Sequence, residues 1–542
     1  MINLAAIRSE ARALCESQFR DFGARLLAKD GTLFSSDPAT IEFINRFLGW
    51  VDSPRRTLTQ LPEIRGFAAE AREAGFTDAV VCGMGGSSLS SLVWATVFSG
   101  RQGLKLHVLD STHPGEIARV LNGVDHAKTL WIIASKSGTT VEPLAMENAV
   151  WEALGGDASK IVAITDPGSE MHQRAEARGY RKVFLGEPEI GGRFSAFSVF
   201  GIVPAALAGL DVEALLMGAV DNLETLNDAD RHEPGGLIAV AAKSGVDKLT
   251  LLTSPQLDAL GLWLEQLIAE STGKGGFGVL PLATEPKGKS EDYGDDRFLW
   301  FLGTSDASLT EEHLHLTSTA LAGDFSERDL GRVMHEAFVS TAAMGKVLGV
   351  NPFDQPNVQE AKDIARAELA KVQASGTIVL PTADASDDSA AVAGAEGDSP
   401  SLALAEFLNH AMAGDHVAFL AYLVESDEVT GIVQEFRKDL RHRLGVATSF
   451  GYGPRYLHST GQYHKGGPNH GHFVVISQEI GEDQAIPEMG VSFGQLCTAQ
   501  ALGDLGALKA NDRRALHVHL MGDAVESLRG LFEGALRGAA AL

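Results

Sequence analysis

The chain has 542 residues, 44% hydrophobic and 21% charged with mean hydropathy near zero, enough to bury a large core and to divide into at least two domains. Its 45 basic residues stand against 71 acidic ones, a formal charge of −26, which excludes a general binder of nucleic acid or of anionic membranes. An anionic ligand must therefore be held in a local pocket of backbone N–H groups and a few cations. The three cysteines, Cys15, Cys82 and Cys497, suggest neither a disulfide framework nor a cysteine zinc site. No run of about 18 apolar residues offers a membrane span, and MINLAAIRSEARALCESQF reads as an acidic amphipathic helix, so a soluble, cytoplasmic protein is expected.

Residues 1–75 read as helical: apolar side chains recur at mixed spacings of three and four, without a strong strand signal. The pattern then changes. TDAVVCGMGGSS (77–88), LKLHVLDST (104–112), TLWIIASKSGTT (129–140) and KIVAITDPG (160–168) are short apolar runs alternating with helical stretches. That alternation predicts a parallel, doubly wound α/β sheet covered on both faces, over residues 76–230. Ligands bind such sheets at the carboxyl ends of the strands, where these runs meet loops. A second α/β unit is predicted over 235–542, with strands in DKLTLLTS (247–254), DRFLWFLGT (296–304) and GDHVAFLAYL (414–423). Inside it, 376–400 is acidic and rich in Ala, Ser and Asp, and reads as a mobile surface loop or linker. DLGRVMHEAFVSTAAMGKVLG (329–349) and EMGVSFGQLCTAQALGDLGAL (488–508) echo each other in size and apolar spacing.

Several loops carry chemistry. SKSGTT follows a predicted strand and precedes VEPLAMENAV, so Ser135, Lys136, Ser137, Thr139 and Thr140 cluster at a helix N-terminus. Five hydroxyl or ammonium donors in six residues exceed what a helix cap needs and point to an anion site. GMGGSS (83–88) resembles a dinucleotide fingerprint but has Ser88 where the last glycine belongs. Asp110 is the nearest acidic partner, and a glycine turn that lets backbone approach a sugar is as good a reading. In GGRFSAFS, Arg193 follows two glycines and can pair with a phosphate or a developing oxyanion; an interdomain salt bridge is the alternative.

WLEQLIAESTGKGG is a helix that ends at a glycine-rich loop, with Gln266 and Glu270 on one face at i, i+4. A carboxylate there suits a general base, or is a solvated helix end. NPFDQPNVQEAK combines two turn prolines with Asp354, Gln355 and a helix carrying Lys362. YLHSTGQYHKGGPNHGH holds His458, His464, His470 and His472 without the carboxylate or helical pairing of a metal site. The pairs His313/His315 and His517/His519 have strand-like spacing and read as structural or exposed.

Together, GMGGSS, SKSGTT, GGRFSAFSVFG, AESTGK, NPFDQPNVQEAK and HSTGQYHKGG, spread over residues 83–467, resemble the glucose-6-phosphate isomerase family, and the tail IPEMGVSFGQLCTAQALGDLGAL adds to the likeness. The resemblance implies two sugar-isomerase (SIS-type) doubly wound parallel-sheet domains. It implies reversible aldose–ketose isomerisation of glucose 6-phosphate and fructose 6-phosphate through an enediol, without a metal or other cofactor. Glu270 would shuttle the proton between C1 and C2, and Arg193 would steady the enediolate. Ser135, Lys136, Ser137, Thr139 and Thr140 would hold the phosphate. Gly86, Ser87 and Gln266 would line the sugar, and His458 and Lys362 would assist ring opening.

The sequence departs from the usual family order in that Lys362 precedes His458. With GYGPRYLHSTGQ, this order looks like the isomerase half of bacterial transaldolase–isomerase fusion proteins. A Schiff-base barrel would need an eightfold strand–helix repeat, and none is visible. The family also implies a homodimer, with His458 supplied across the interface. The competing readings are a phosphomannose-type or bifunctional isomerase, a sugar-phosphate-binding regulator, and a nicotinamide enzyme resting on the glycine loop alone.

Overall fold

The computed structural model describes residues 3–98 and 100–538. Helices come first, at Leu4–Gln18, Phe22–Leu27, Pro38–Phe47 and Ser53–Glu73; Asn3 and Asp37 accept hydrogen bonds from the backbone at the starts of two of them. A five-stranded sheet follows: β1 (Asp78–Gly83), β2 (Lys105–Leu109), β3 (Thr129–Ala134), β4 (Ile161–Thr165) and β5 (Lys182–Leu185). The order is β2-β1-β3-β4-β5 and every pairing is parallel. All six residues of β3 are buried, as a strand covered on both faces requires. The order reverses between β1 and β3, so the loops after these strands, GMGGSS and SKSGTT, flank the crevice where open α/β sheets bind ligands.

Residues 235–542, read from sequence as one α/β unit, contain two sheets. β6 (Lys248–Thr253), β7 (Leu280–Leu282), β8 (Arg297–Leu302) and β9 (Leu314–Ser318) form a parallel sheet ordered β7-β6-β8-β9. The other comprises β10 (Ala385–Ser386), β11 (Ala390–Ala393), β12 (His416–Tyr422), β13 (Ala447–Tyr452), β14 (Gly471–Gln478) and β15 (Arg514–Leu520), ordered β10-β11-β15-β14-β12-β13. Its last four strands in that order are parallel. One apolar core runs from the N-terminal helices through the first and the four-stranded sheets, while the six-stranded sheet builds its own.

The acidic segment 376–400 is only partly loop. Residues 385–386 and 390–393 form the hairpin β10–β11, with Ala390 and Val392 buried, whose second strand pairs antiparallel with β15. Composition concealed the hairpin because its strands are two and four residues long, flanked by aspartates. Most of each echoing segment lies in a helix, Glu327–Leu348 and Phe493–Ala510, each opened by a capping box, Ser326/Asp329 and Ser492/Gln495.

A buried ionic cluster joins the four- and six-stranded sheets. Glu285 accepts from the Thr448 N–H and hydroxyl, both at 3.1 Å, contacts Arg297, and lies 3.5 Å from Arg441. Arg437 donates to the Thr448 carbonyl at 2.6 Å and the Thr284 carbonyl at 3.3 Å. Burial alone would push the Glu285 carboxyl up, but Arg297, Arg441 and Arg437 hold it below the usual carboxylate range. Glu285→Ala would leave these buried guanidiniums uncompensated. It is expected to cost about 3 kcal/mol of stability, read as a lower urea midpoint; an unchanged midpoint would refute the bridging role.

Candidate active site

The carboxyl-end loops of the first sheet meet the helix Asp258–Thr272 and the segments 351–355 and 455–466. Gly86, Ser87, Ser135, Lys136, Ser137, Thr140, Arg193, Gln266, Glu270 and His458 line one cavity of about 180 Å³. A neighbouring cavity of about 140 Å³ is lined by Thr139, Lys362 and Glu142, and shares Ser137, Thr140 and His458 with the first. The residues singled out in the sequence thus gather into two joined chambers.

Glycine makes the floor. A Cβ on Gly86 would fall 1.9 Å from the Gly192 carbonyl, so the glycine turn after β1 packs directly on the Gly192–Phe197 turn that presents Arg193. In the hydroxyl loop, Gly138 adopts φ +73°. This lets the Gly138 N–H reach Ser135 Oγ at 3.1 Å and the Thr139 N–H reach Ser137 Oγ at 3.2 Å. Thr140 is the N-cap of the helix Val141–Ala153, yet its side chain makes no capping bond.

Glu270 is 9% exposed. Gln266 Nε2 donates to its carboxylate at 3.2 Å and to the His458 carbonyl at 2.7 Å, as the i, i+4 spacing allows. Arg193 Nη1 lies 3.3 Å from the other Glu270 oxygen. The remaining Arg193 donors reach Ser271 Oγ (2.8 Å), Gln355 Oε1 (3.0 Å) and the carbonyls of Pro352 (2.6 Å) and Asp354 (2.9 Å). Burial pulls the guanidinium below its ordinary value, with Glu270 and Asp354 opposing.

His458 is positioned by Glu142, whose Oε1 lies 3.0 Å from its Nε2; Gln500 donates to the same oxygen at 2.8 Å. Burial would raise the Glu142 carboxyl, but the adjacent His458, its own backbone N–H and the charge of Lys362 hold it below the usual range. An ionised carboxylate only accepts, so Nε2 of His458 is the donor in this pair. Sequence reading missed Glu142. Its signal was an acidic residue in the first turn of the helix that follows the hydroxyl loop. Lys274 was missed too, although it stands four residues after Glu270. Its buried ammonium holds the Asp354 carboxylate at 2.8 Å and the Asp354 carbonyl at 2.6 Å. Burial and the charge of Arg193 pull it down to about 7.

Three expectations change. Lys136 lines the cavity, but its ammonium is tied to Asp166 (2.8 Å) and to the Glu187 carbonyl (3.1 Å), because the loops after the neighbouring strands β3 and β4 lie side by side. His458 reaches the cavity from its own chain and not across an interface. Gln462, fully buried in the following helix Gly461–Gly466, docks that segment by donating to the Gly273 carbonyl (2.9 Å) and Asn357 Oδ1 (2.8 Å). Asp110 is paired bidentately with Arg455, both contacts at 2.8 Å, which commits the acidic group a nucleotide ribose would need.

The other histidines of 456–472 disperse. His464 is buried with neither ring nitrogen bonded, His470 lies 3.8 Å from Asp247, and His472 lies 3.1 Å from Asp415. Among the described residues no three His, Cys, Asp or Glu side chains converge as metal ligands. His517 and His519 both contact Ser477 within the last sheet, at 2.9 and 2.8 Å.

The parallel sheets and the joined chambers at their carboxyl ends define an α/β protein of the sugar-isomerase class. Residues 63–275 match the family described as phosphoglucose isomerase. Over 417 residues the chain is 29% identical to the glucose-6-phosphate isomerase of Rubrobacter xylanophilus, an alignment covering 65% of this chain and 94% of that protein. Over 403 residues it is 30% identical to the glucose-6-phosphate isomerase of Thermus thermophilus, covering 64% and 93%. A solved structure from Thermus thermophilus, described only as a hypothetical protein, superposes with a TM-score of 0.55 at 28% identity, covering 68% of this chain and 97% of that one. The chain belongs to the phosphoglucose isomerase family.

One buried group beside the site sets a pH dependence. Glu265 precedes Gln266 and accepts from the Ala283 N–H at 3.1 Å; burial pushes its carboxyl up from 4.5 to about 7, with Ala283, Arg437 and Ser459 opposing. A raised folded-state value means that stability contributed by neutral Glu265 is full below the unfolded value and is lost as the pH rises through about 7. Glu265→Gln keeps the acceptor without the charge. Thermal melts at acidic and alkaline pH should show it near wild type in acid and more stable than wild type above neutrality; a wild-type-like pH slope in the variant would contradict the assignment.

Proposed function

We propose that the chain is a glucose-6-phosphate isomerase, interconverting glucose 6-phosphate and fructose 6-phosphate in glycolysis and gluconeogenesis. The observation that carries the reading is Glu270: a buried carboxylate 3.3 Å from a buried guanidinium and 3.2 Å from an amide donor, in a cavity that shares walls with the hydroxyl-rich loop. Isomerisation needs a base for the hydrogen alpha to a carbonyl, a cation near the developing oxyanion, and an acid–base pair to open the sugar ring.

In this reading the loop 135–140 and the start of the helix Val141–Ala153 hold the phosphate by hydroxyls and backbone N–H groups. His458, oriented by Glu142, and Lys362 exchange the proton that opens the ring. With fructose 6-phosphate open, Glu270 takes the proton from C1, and the electron pair passes into a C1–C2 double bond while negative charge develops on the C2 oxygen. Arg193 stabilises that charge. The C1 hydroxyl proton passes to the C2 oxygen, and returning the carbon-bound proton from Glu270 to C2 as the C1 oxygen collapses to an aldehyde completes the aldose. Gly86, Ser87 and Gln266 form the wall against which the sugar carbons lie.

The order of Lys362 before His458, with GYGPRYLHSTGQ, supports a place beside the isomerase halves of transaldolase fusion proteins. The family resemblance supports a cytoplasmic homodimer, and His458 lining the cavity beside Arg193 and Glu270 of its own chain supports a site furnished within one subunit.

A coupled assay of fructose 6-phosphate conversion, run with and without EDTA, tests the reading: chelator-resistant turnover is expected, and absence of turnover refutes it. Glu270→Gln should abolish turnover while leaving sugar-phosphate binding within roughly tenfold, because the base acts in the transition state; full activity would remove Glu270 from that role. Glu142→Gln should lower kcat by roughly tenfold, since it disturbs the orientation of His458; an unchanged kcat would remove Glu142 from that role.

A further inference from the structure

The smaller chamber contains a cation to which nothing above assigns a role. Arg366 stands one helical turn after Lys362 on the helix Val358–Ser375, and both line the chamber together with Ser137, Thr139 and Thr140. The other cations near the loop are committed. Lys465 is buried 2.5 Å from Asp504, and Lys136 is held by Asp166. Among the described residues Arg366 pairs only with Asp363, at 3.3 Å, with both side chains 60% exposed, a contact that holds a guanidinium weakly.

The charges in the chamber call for such a group. Glu142 lines it as a buried carboxylate, with Oε2 making no hydrogen bond. The charge of Lys362 already bears on that carboxylate. A phosphate held by the hydroxyl loop adds close to two further negative charges beside Glu142. The helix N-terminus offers the equivalent of about half a positive charge. Only a second free cation brings the chamber near neutrality, and an arginine fork matches phosphate oxygens in pairs.

We propose that Arg366 is a phosphate-binding residue, closing over the substrate's phosphate together with the hydroxyl loop. The inference rests on the isomerase reading for the identity of the substrate and on the chamber alone for the anion. Arg366 makes a binding contact remote from the reacting carbons, so its loss weakens ground state and transition state alike.

The test compares wild type, Arg366→Gln and Arg366→Lys in the fructose 6-phosphate assay and in calorimetric titration with inorganic phosphate. The Gln variant should raise KM and the phosphate Kd by roughly tenfold each with kcat within about twofold, and the Lys variant should recover most of the loss. Unchanged KM and phosphate Kd in Arg366→Gln would overturn the proposal, as would a loss confined to kcat. A wild type that binds phosphate through Arg366 but turns over no fructose 6-phosphate would sink the isomerase reading and leave this one standing.

Discussion

A buried guanidinium must place all five of its N–H donors, and the architecture of this site follows from how Arg193 does so. At 3% exposure it has no water to fall back on. Its donors are spent on the end of the Glu270 helix at Ser271, on the Glu270 carboxylate, and on three groups of the 352–355 turn. Three segments distant in sequence are thereby held to one point. Lys274 repeats the arrangement, binding the carbonyls of Asn351 and Asp354. Two cations thus compete for the carbonyls of one turn, and the turn has little freedom to move without stranding one of them.

That turn leads into the helix Val358–Ser375, so fixing it aims Lys362 and Arg366. The same helix docks along Phe493–Ala510 through small residues, with Ala365 against Gly503 and Ile364 against Gly506, while Asn511 donates to Glu360 at 2.7 Å. Lys362, Ala365, Arg366 and Leu369 of the same helix line the chamber beside that contact. Gln462 adds the last tie: besides its bonds to Gly273 and Asn357, its carbonyl oxygen accepts the Asn357 N–H at 2.9 Å. The Glu270 helix, the turn and the segment carrying His458 are therefore one hydrogen-bonded unit, and the spacing between Glu270, His458 and Lys362 is a property of that unit.

The strands at 78–83, 105–109, 129–134 and 161–165 were legible because a parallel sheet covered on both faces needs unbroken apolar runs. The edge strand β5 escaped, since KVFL is short and Leu185 is 41% exposed. β14 was hidden by the histidines and glycines that lead into it. At the site, the hydroxyl loop, the helix-end carboxylate and the arginine after two glycines were singled out by residue type, and they lie around one cavity. What stayed hidden was pairing. Whether Lys136 faces a ligand or Asp166 depends on which strand lies next to β3, and sheet order is not written in local pattern. Glu142 looks like an ordinary first-turn acid until His458, more than 300 residues away, is folded onto it.

The way the segments carrying Lys362 and His458 are held bears on how such a site tolerates rearrangement. Each functional segment enters the chambers as a short turn or a helix end and is secured there by polar contacts to the others, not by its chain neighbours. Arg193 to Pro352, Gln462 to Gly273 and Glu142 to His458 span 159, 189 and 316 residues. Contacts of that kind fix position in space and are indifferent to sequence order, provided each segment can reach its place. A connection of different length costs loop-closure entropy that grows only with the logarithm of its length, whereas an unpaired donor on Arg193 or Gln462 would cost the full desolvation of a buried polar group. The chain can exchange the order in which it visits the site more cheaply than it can lose one of the contacts that hold the site together.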